Sequence, residues 1–425
     1  MAWGESLEVL MELGNTITGQ FKLNDATYGL LDGVGRLDGV LLADDVASYC
    51  KTIDISRGRS DQLSAFGSGS CNITLNNNDR RFDPINTSSP YWNGVTGTTG
   101  VAPRRKVTVK SNGVTLFVGR ITDVNVDYDW SSPSSTSEKS TVQIQASDDF
   151  YTLATTITQA DITPTEQLSS ARVTAMLDLA EVNYPAASRS ISTGISTVGG
   201  GATFLIDAGT NVIQYLQDVA QAEQGYFFVS SAGNLTFNSR VAGSFGSPEV
   251  TFTDTGSGVP YQTLGVMYGQ ELLYNKVICE VVGGTPQVAN NTASQTEYGI
   301  STLSLTGLLL KDDAAALTLA NALLSLFSTP QYRFNDLQTL YNGLSAGNQT
   351  ALSSLDLTDI ISVTRSFRTG TPSSITKNYR IQQVSHKIDV NRHSVEFNLM
   401  DAVLVNQFKL DDAVYGVLDS TNALV

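Results

Sequence analysis

The feature that most constrains this chain is a run of short segments, from about Val46 to Phe150, in which apolar and polar residues alternate. Gly, Asn and Pro interrupt the alternation at intervals, and these residues favour turns. Two segments, Val107–Lys110 and Val114–Val118, are separated by Ser111-Asn112-Gly113. Asn-Gly tolerates the positive φ of a tight hairpin turn. Short strands in succession predict a closed or nearly closed β-barrel, which leaves no exposed sheet edge.

Length and composition limit the fold further. The chain has 425 residues, 41% of them hydrophobic, and such a length predicts roughly two to four domains. Only 16% of residues are charged while Ser, Thr, Asn and Gly are abundant, which favours strands and turns over long helices. The formal net charge of −15 has the wrong sign for a protein that grips nucleic acid.

The cysteines and the apolar stretches predict the compartment. Cys50, Cys71 and Cys279 match no zinc-binding spacing and are too few for a disulfide framework, so we predict three buried thiols. The N-terminus has no basic region followed by a long apolar run, so no signal peptide is expected. The apolar stretches fall short of the ~20 residues of a membrane span. We therefore expect a soluble protein made in a reducing cytoplasm.

Helical spacing replaces the strand pattern in the middle of the chain. One helix is predicted to begin near Thr163-Pro164, and a second to be capped by Thr210 and ended by Gly225. A hairpin over Tyr226–Phe237 follows, and strand patterns then return. We predict an α+β, β-dominated fold in which two β-barrel-like domains flank a small α+β domain. The predicted boundaries are 1–46 for an N-terminal segment, 47–150 for the first barrel-like domain, 151–245 for the α+β domain, 246–400 for the second barrel-like domain with an inserted helix at 312–327, and 401–425 for a C-terminal docking segment.

An internal repeat lies at the two ends of the chain. The element Phe21–Asp32 recurs as Phe408–Asp419, and ten of seventeen positions are identical when the copies are extended to 21–37 and 408–424. Each copy has apolar anchors between Asp and Gly turn formers and is too short to hold a core alone. We predict that each copy docks, either within its own chain or on a neighbouring subunit, through the anchors Phe21, Leu23, Tyr28, Leu31, Phe408, Leu410, Tyr415 and Leu418.

The residues that could carry chemistry form no connected set. The two histidines, His386 and His393, are predicted to lie across a hairpin, and no serine elbow accompanies them. Adjacent acids such as Asp148-Asp149 are typical of caps and turns. The oxygen-rich run Asn76–Pro84 lacks the pattern of a calcium loop and favours an Asx-turn with Arg–Asp pairs. We predict no enzyme, no catalytic or metal-binding residues and no cofactor.

Several short motifs along the chain form a recognisable set. Those in the first half are Arg57-Gly58-Arg59-Ser60, Phe66–Asn77, Asp79–Pro84, Ser89-Pro90-Tyr91 and Pro103-Arg104-Arg105, and those in the second half are Pro330–Phe334, Leu355–Asp359 and Tyr379–His386. Together with the hairpin Tyr226–Phe237 and the repeated terminal element, they resemble the minor tail proteins of long-tailed actinobacteriophages, in the tail-hub or baseplate-hub-like group. The resemblance runs along most of the chain.

This resemblance implies a structural virion protein of the tail tip, assembled in the host cytoplasm. It implies a homotrimer whose two barrels per chain form a pseudo-sixfold ring that closes the tail tube. The implied partners are the tail tube, other tip proteins and the tape measure protein, with DNA only passing through. Three alternatives remain open: a distal tail ring protein, a tip adhesin that binds host glycans, and a tip-borne cell-wall hydrolase.

Overall fold

The computed structural model describes residues 6–13, 17–18, 40–41, 43–60, 62–129, 139–241 and 247–402. Strands account for 41% of the structure and helices for 20%. This composition confirms the predicted β-dominated α+β class.

The first part of the chain forms a curved antiparallel sheet. Its order is β4-β1-β9-β10-β11-β6-β5. A 3-10 turn, Ala47–Tyr49, leads from the edge strand β4 directly into β5 at the other edge, so the sheet curls around one core. The strands are β1 (Leu7–Met11), β2 (Ile17–Thr18), β3 (Val40–Leu41), β4 (Asp44–Asp45), β5 (Cys50–Gly58), β6 (Ser70–Asn76), β7 (Trp92–Asn93), β8 (Thr98–Thr99), β9 (Lys106–Ser111), β10 (Val114–Asp129) and β11 (Lys139–Ser147).

Alternation along these strands places one face of the sheet against the core. In β6 the side chains of Cys71, Ile73 and Leu75 are buried while those between them are not, as a period of two requires. The hairpin between β9 and β10 turns at Asn112 and Gly113, both of which have positive φ, as predicted.

The middle part is a small α+β unit whose helices pack on the β15–β16 hairpin. Its first long helix begins at Ser169, so the predicted start near Pro164 is wrong. The next helix is capped by Asn211 rather than Thr210, because the Asn211 side chain accepts from the amide of Gln214. Its left-handed end residue is Gln224 rather than Gly225. The elements are α1 (Asp149–Leu153), β12 (Gln167–Leu168), α2 (Ser169–Leu177), β13 (Arg189–Ile191), β14 (Thr197–Val198), α3 (Val212–Glu223), β15 (Tyr226–Val229) and β16 (Leu235–Asn238).

The last part contains a second curved sheet, of order β18-β17-β24-β25-β26-β23-β19. The edge strand β18 leads directly into β19 at the opposite edge, which repeats the plan of the first sheet. The elements are β17 (Val250–Thr253), β18 (Val259–Pro260), β19 (Thr263–Met267), β20 (Lys276–Val281), β21 (Gln287–Asn290), α4 (Thr292–Tyr298), β22 (Thr302–Leu308), α5 (Asp313–Phe327), β23 (Arg333–Leu340), α6 (Ala346–Ser354), β24 (Ile360–Ser366), β25 (Ser374–Asp389) and β26 (His393–Asp401).

The predicted helix at 312–327 is confirmed as α5, with Asp312 as its cap. It does not sit on the second curved sheet as an insertion into a barrel. Instead it packs against a separate three-stranded sheet of order β21-β20-β22, with a core of its own. Within the described strands neither curved sheet closes into a barrel, so the predicted pair of barrels is not shown.

The two curved sheets are joined by one backbone ladder. The second half of β25 pairs with β5, from Gln383 opposite Gly58 to Asp389 opposite Thr52, and this makes a single 14-stranded sheet. At its end, Gly58 has a φ of +114°, and a Cβ there would lie 2.2 Å from the carbonyl oxygen of Gln382. The join therefore requires glycine at this position.

Replacing Gly58 by alanine tests this requirement. We expect Gly58→Ala to cost about 2 kcal/mol or more, because it combines backbone strain with a steric clash. Thermal unfolding followed by circular dichroism should show a Tm lowered by several degrees. Gly94→Ala is the matched control, because a Cβ at Gly94 meets no atom within 4 Å. Equal Tm values for the two variants would contradict the close approach at Gly58.

Candidate functional site

An apolar cleft lies where the parts of the molecule meet. It has a volume of about 180 Å³ and is bounded by α3, α5, residues 59 and 62–66, and the end of β26. A cavity of roughly 150 Å³ lined by apolar side chains can bind a benzene ring. The cleft therefore has room for about one aromatic side chain. Its buried apolar lining includes Phe66, Tyr226, Phe227, Leu323, Phe327 and Met400.

Arg59 shapes one side of this cleft. Its guanidinium carbon lies 4.6 Å from the centroid of the Phe66 ring and 5.6 Å from that of Tyr226. Its Nε donates to the side chain of Gln382 at 2.7 Å, and Nη1 donates to the carbonyl of Ser64 at 2.7 Å. These contacts hold a positive charge against two aromatic rings beside the cleft.

Arg240 places a second positive charge at the cleft. Its Nη1 donates to the carbonyl oxygen of Glu223 at 3.3 Å. Its Nε is buried and has no hydrogen-bond partner within the part of the chain that the structure describes. Burial lowers the pKa of Arg240, and the nearby Glu223 carboxylate offsets part of that effect. Arg240 thus adds a partly buried positive charge to the lining of the cleft.

Glu223, the last residue of α3, is a buried carboxylate close to Arg240. It accepts from the hydroxyl of Ser169 and from the backbone amides of Ile195 at 3.1 Å and Ser196 at 3.2 Å. Burial raises its pKa, and these hydrogen bonds act in the opposite direction. Because its oxygens are already engaged by the loop at 195–196, Glu223 positions that loop.

A buried ion pair ties the three parts together. Arg57, on β5, donates through Nη1 to Asp356 Oδ1 at 2.6 Å, and its side chain is only 3% exposed. The other oxygen of Asp356 accepts from the backbone amide of Ser231, in the turn of the β15–β16 hairpin, at 2.6 Å. One carboxylate thus connects the first sheet, the middle unit and the segment before β24.

Removing this carboxylate should be strongly destabilising. We expect Asp356→Ala to cost about 3 kcal/mol, because the buried Arg57 would lose its ion-pair partner and the Ser231 amide its acceptor. Denaturant unfolding of the purified protein measures the loss. Glu8→Ala is the control, since it removes a half-exposed contact to Lys110 at 3.6 Å and should cost below about 1 kcal/mol. Similar losses for the two variants would argue against the role given to the buried pair.

The two histidines lie across the β25–β26 hairpin, as predicted. His386 Nδ1 and His393 Nε2 are 3.0 Å apart, so one nitrogen donates and the other accepts. The ring of His393 stacks on Tyr341 with centroids 4.4 Å apart. Both histidines are almost completely buried, at 3% and 1% exposure. A pair enclosed in this way packs the core and has no direct contact with a substrate in solution.

The buried pair makes a pH prediction. Burial, with the charges of His393 and Arg57 adding to it, holds the pKa of His386 well below its usual value. Its contribution to stability is therefore present above about pH 6.5 and is lost as the pH falls. Burial also raises the pKa values of Asp148 and Asp359 to about 6, so their contributions are lost as the pH rises through that range.

The variant His386→Gln removes the histidine and keeps the carboxyl groups of Asp148 and Asp359. Comparing it with the wild-type protein therefore isolates the contribution of His386. Between about pH 7 and pH 5 the Tm of the wild-type protein should fall further than that of His386→Gln. Differential scanning calorimetry across this range measures the two slopes. If the slopes coincide, His386 takes up its proton in the folded state and the effect assigned to its burial is absent.

The oxygen-rich run Asn76–Pro84 forms turns, as predicted. Arg80 pairs with Asp83 at 2.8 Å and Arg81 with Asp79 at 2.6 Å. The side chain of Asn77 accepts from the amide of Phe82 at 2.9 Å. These oxygens are thus engaged by the protein itself. Across the described ranges, no three His, Cys, Asp or Glu side chains are grouped as a metal site would require.

The eight predicted docking anchors lie outside the described residues, and their docking stays a prediction. The three cysteines are buried thiols, as predicted. The cleft itself was missed from the sequence. Its walls come from segments more than 300 residues apart, and the only local hint was the combination of Arg59 with Phe66. None of the described helices is long and apolar enough to cross a membrane.

No family model and no curated protein matches this chain. Its fold does match solved structures. A tail protein from Neisseria meningitidis MC58 superposes with a TM-score of 0.57 at 10% identity, covering 94% of this chain and 97% of that one. The 43 kDa tail protein of prophage MuSo2 from Shewanella oneidensis gives 0.54 at 12% identity, with 93% and 99% covered. The chain therefore has the fold of these two tail proteins along nearly its whole length.

Proposed function

We propose that this protein is a structural component of a phage tail and forms the hub at the tail tip. The observation that carries the proposal is the fold match to two tail proteins, one of them from a prophage, which extends over 94% and 93% of this chain. A match of that extent includes the middle unit as well as both curved sheets. A shared architecture of several parts is more specific than a shared single domain.

The repeated plan of the curved sheets supports a ring. Each contains seven strands, and in each the two edge strands are joined by a short chain segment. In the proposed assembly three chains contribute six such sheets, which closes a sixfold tail tube and passes to a threefold tip. The rigid join between β5 and β25 would fix the angle between the two sheets of each chain.

The net charge of −15 supports a conduit for DNA. A negative surface repels phosphate groups, so the genome would slide past without binding. In this arrangement the protein contacts the tail tube, the other tip proteins and the tape measure protein, while DNA is only a passenger.

Two measurements test whether the protein is a trimeric hub at the tail tip: the mass of the purified assembly and the position of the protein on labelled tails. Light scattering of the purified full-length protein should give three chains of 45.5 kDa. Electron microscopy of tails labelled with an antibody to this protein should show a signal confined to the tip. A label spread along the tube would contradict the hub, and unlabelled tails would contradict any tail role.

Experiments on the same purified protein and tails distinguish the hub from the three alternative functions. A hexameric ring at the end of the tube would identify a distal tail ring protein. Binding on a glycan array would identify an adhesin, and clearing in a zymogram of host cell wall would identify a hydrolase. The burial of both histidines supports the prediction that no clearing will occur.

A further inference from the structure

The apolar cleft lies beside the point where the described chain ends. Met400, near the end of β26, lines the cleft, and the last described residue, Ala402, is buried and donates to the carbonyl of Asn378 at 3.1 Å. Phe408 follows after the five residues 403–407. An extended chain spans at most about 3.3–3.6 Å per residue, so Phe408 lies within roughly 20 Å of Ala402.

The chemistry of the C-terminal repeat complements the cleft. Phe408 is an aromatic side chain of the size that the cleft accommodates. Asp411 and Asp412 follow it closely, and 408–419 contains three aspartates and one lysine. The charged residues that line the cleft are Arg59, Arg240 and Asp218, so positive side chains outnumber negative ones there. An aspartate of the repeat beside the guanidinium group of Arg240 would accept a charge-assisted hydrogen bond.

We propose that the C-terminal repeat docks in the cleft of its own chain, with the Phe408 ring among the apolar side chains and an aspartate, Asp411 or Asp412, against Arg240. The short linker favours the same chain over a second copy, because it gives the element a high local concentration at this cleft. The segment would then close the junction between α3, α5 and β26. This inference goes beyond the proposed tail role and does not depend on it.

A disulfide trap tests the proposal in the full-length protein. Gln221, an exposed residue of α3 at the cleft, and Gln407, which precedes Phe408, are both changed to cysteine. The native thiols of Cys50, Cys71 and Cys279 are buried with raised pKa values, so they react slowly. We expect mild oxidation to give an intramolecular disulfide, at a rate unchanged over a roughly hundredfold dilution.

The N-terminal repeat provides a matched control. Gln20 precedes Phe21 as Gln407 precedes Phe408. Gln221→Cys with Gln20→Cys should cross-link much more slowly than the first pair. Equal rates would overturn the assignment to the C-terminal copy. Disulfide-linked dimers in place of cross-linked monomers would show that a second copy supplies the segment, and no cross-link at all would also overturn the proposal.

Two further variants test whether cross-linking requires the cleft and the aromatic ring of Phe408. Phe408→Ala, added to the trap pair, should slow cross-linking by roughly tenfold, whereas Phe21→Ala should leave the rate unchanged. Ala322→Trp, at a half-buried position of the lining, should fill the cleft and slow cross-linking similarly. Circular dichroism confirms that each variant is folded. Unchanged rates in Phe408→Ala and Ala322→Trp would refute docking in this cleft.

Discussion

The antiparallel ladder between β5 and β25 is the interaction on which the rest of the structure depends. It joins strands that lie more than 300 residues apart, and it makes one sheet of two curved ones. Two contacts described above depend on this pairing of β5 with β25. Arg57 can reach Asp356 because β5 is fixed beside the second sheet, and Arg59 continues from the same strand to the cleft. Close backbone approach at Gly58 allows the ladder to run to its end.

Several buried ionisable groups in the described part of the chain have a structural partner. Arg57 is paired with Asp356, Glu223 is held by a hydroxyl and two amides, and His386 is paired with His393. Such groups fix the relative positions of parts that apolar contacts alone would orient less precisely. Arg240 differs because its side chain lines the apolar cleft. The paired groups therefore stabilise the fold, whereas Arg240 lies at the cleft.

Local patterns in the sequence were sufficient for individual elements. The Asn112-Gly113 hairpin, the capped helix α5 and the pairing of His386 with His393 across a hairpin all follow from turn chemistry and periodicity. Helix ends were less predictable. Asn211 outcompetes Thr210 as a cap, and Gln224 adopts the left-handed conformation expected of Gly225, since tertiary contacts decide between adjacent candidates. Strand partners were beyond reach, because a period of two indicates a buried face and not the strand that lies beside it. For the same reason the separate sheet under α5 and the cleft were not foreseen.

The ladder between β5 and β25 also has a consequence for synthesis. A ribosome adds about 5–20 residues per second, so β5 leaves it roughly 20 to 60 s before β25 can pair with it. During that interval the first curved sheet has its core strands but lacks the neighbour of one edge. Unpaired edges are sites of aggregation. The edge of β5 therefore stays without its partner until β25, which lies in about the last fifty residues, has been synthesised. Aggregation of the nascent chain is most favoured during this interval.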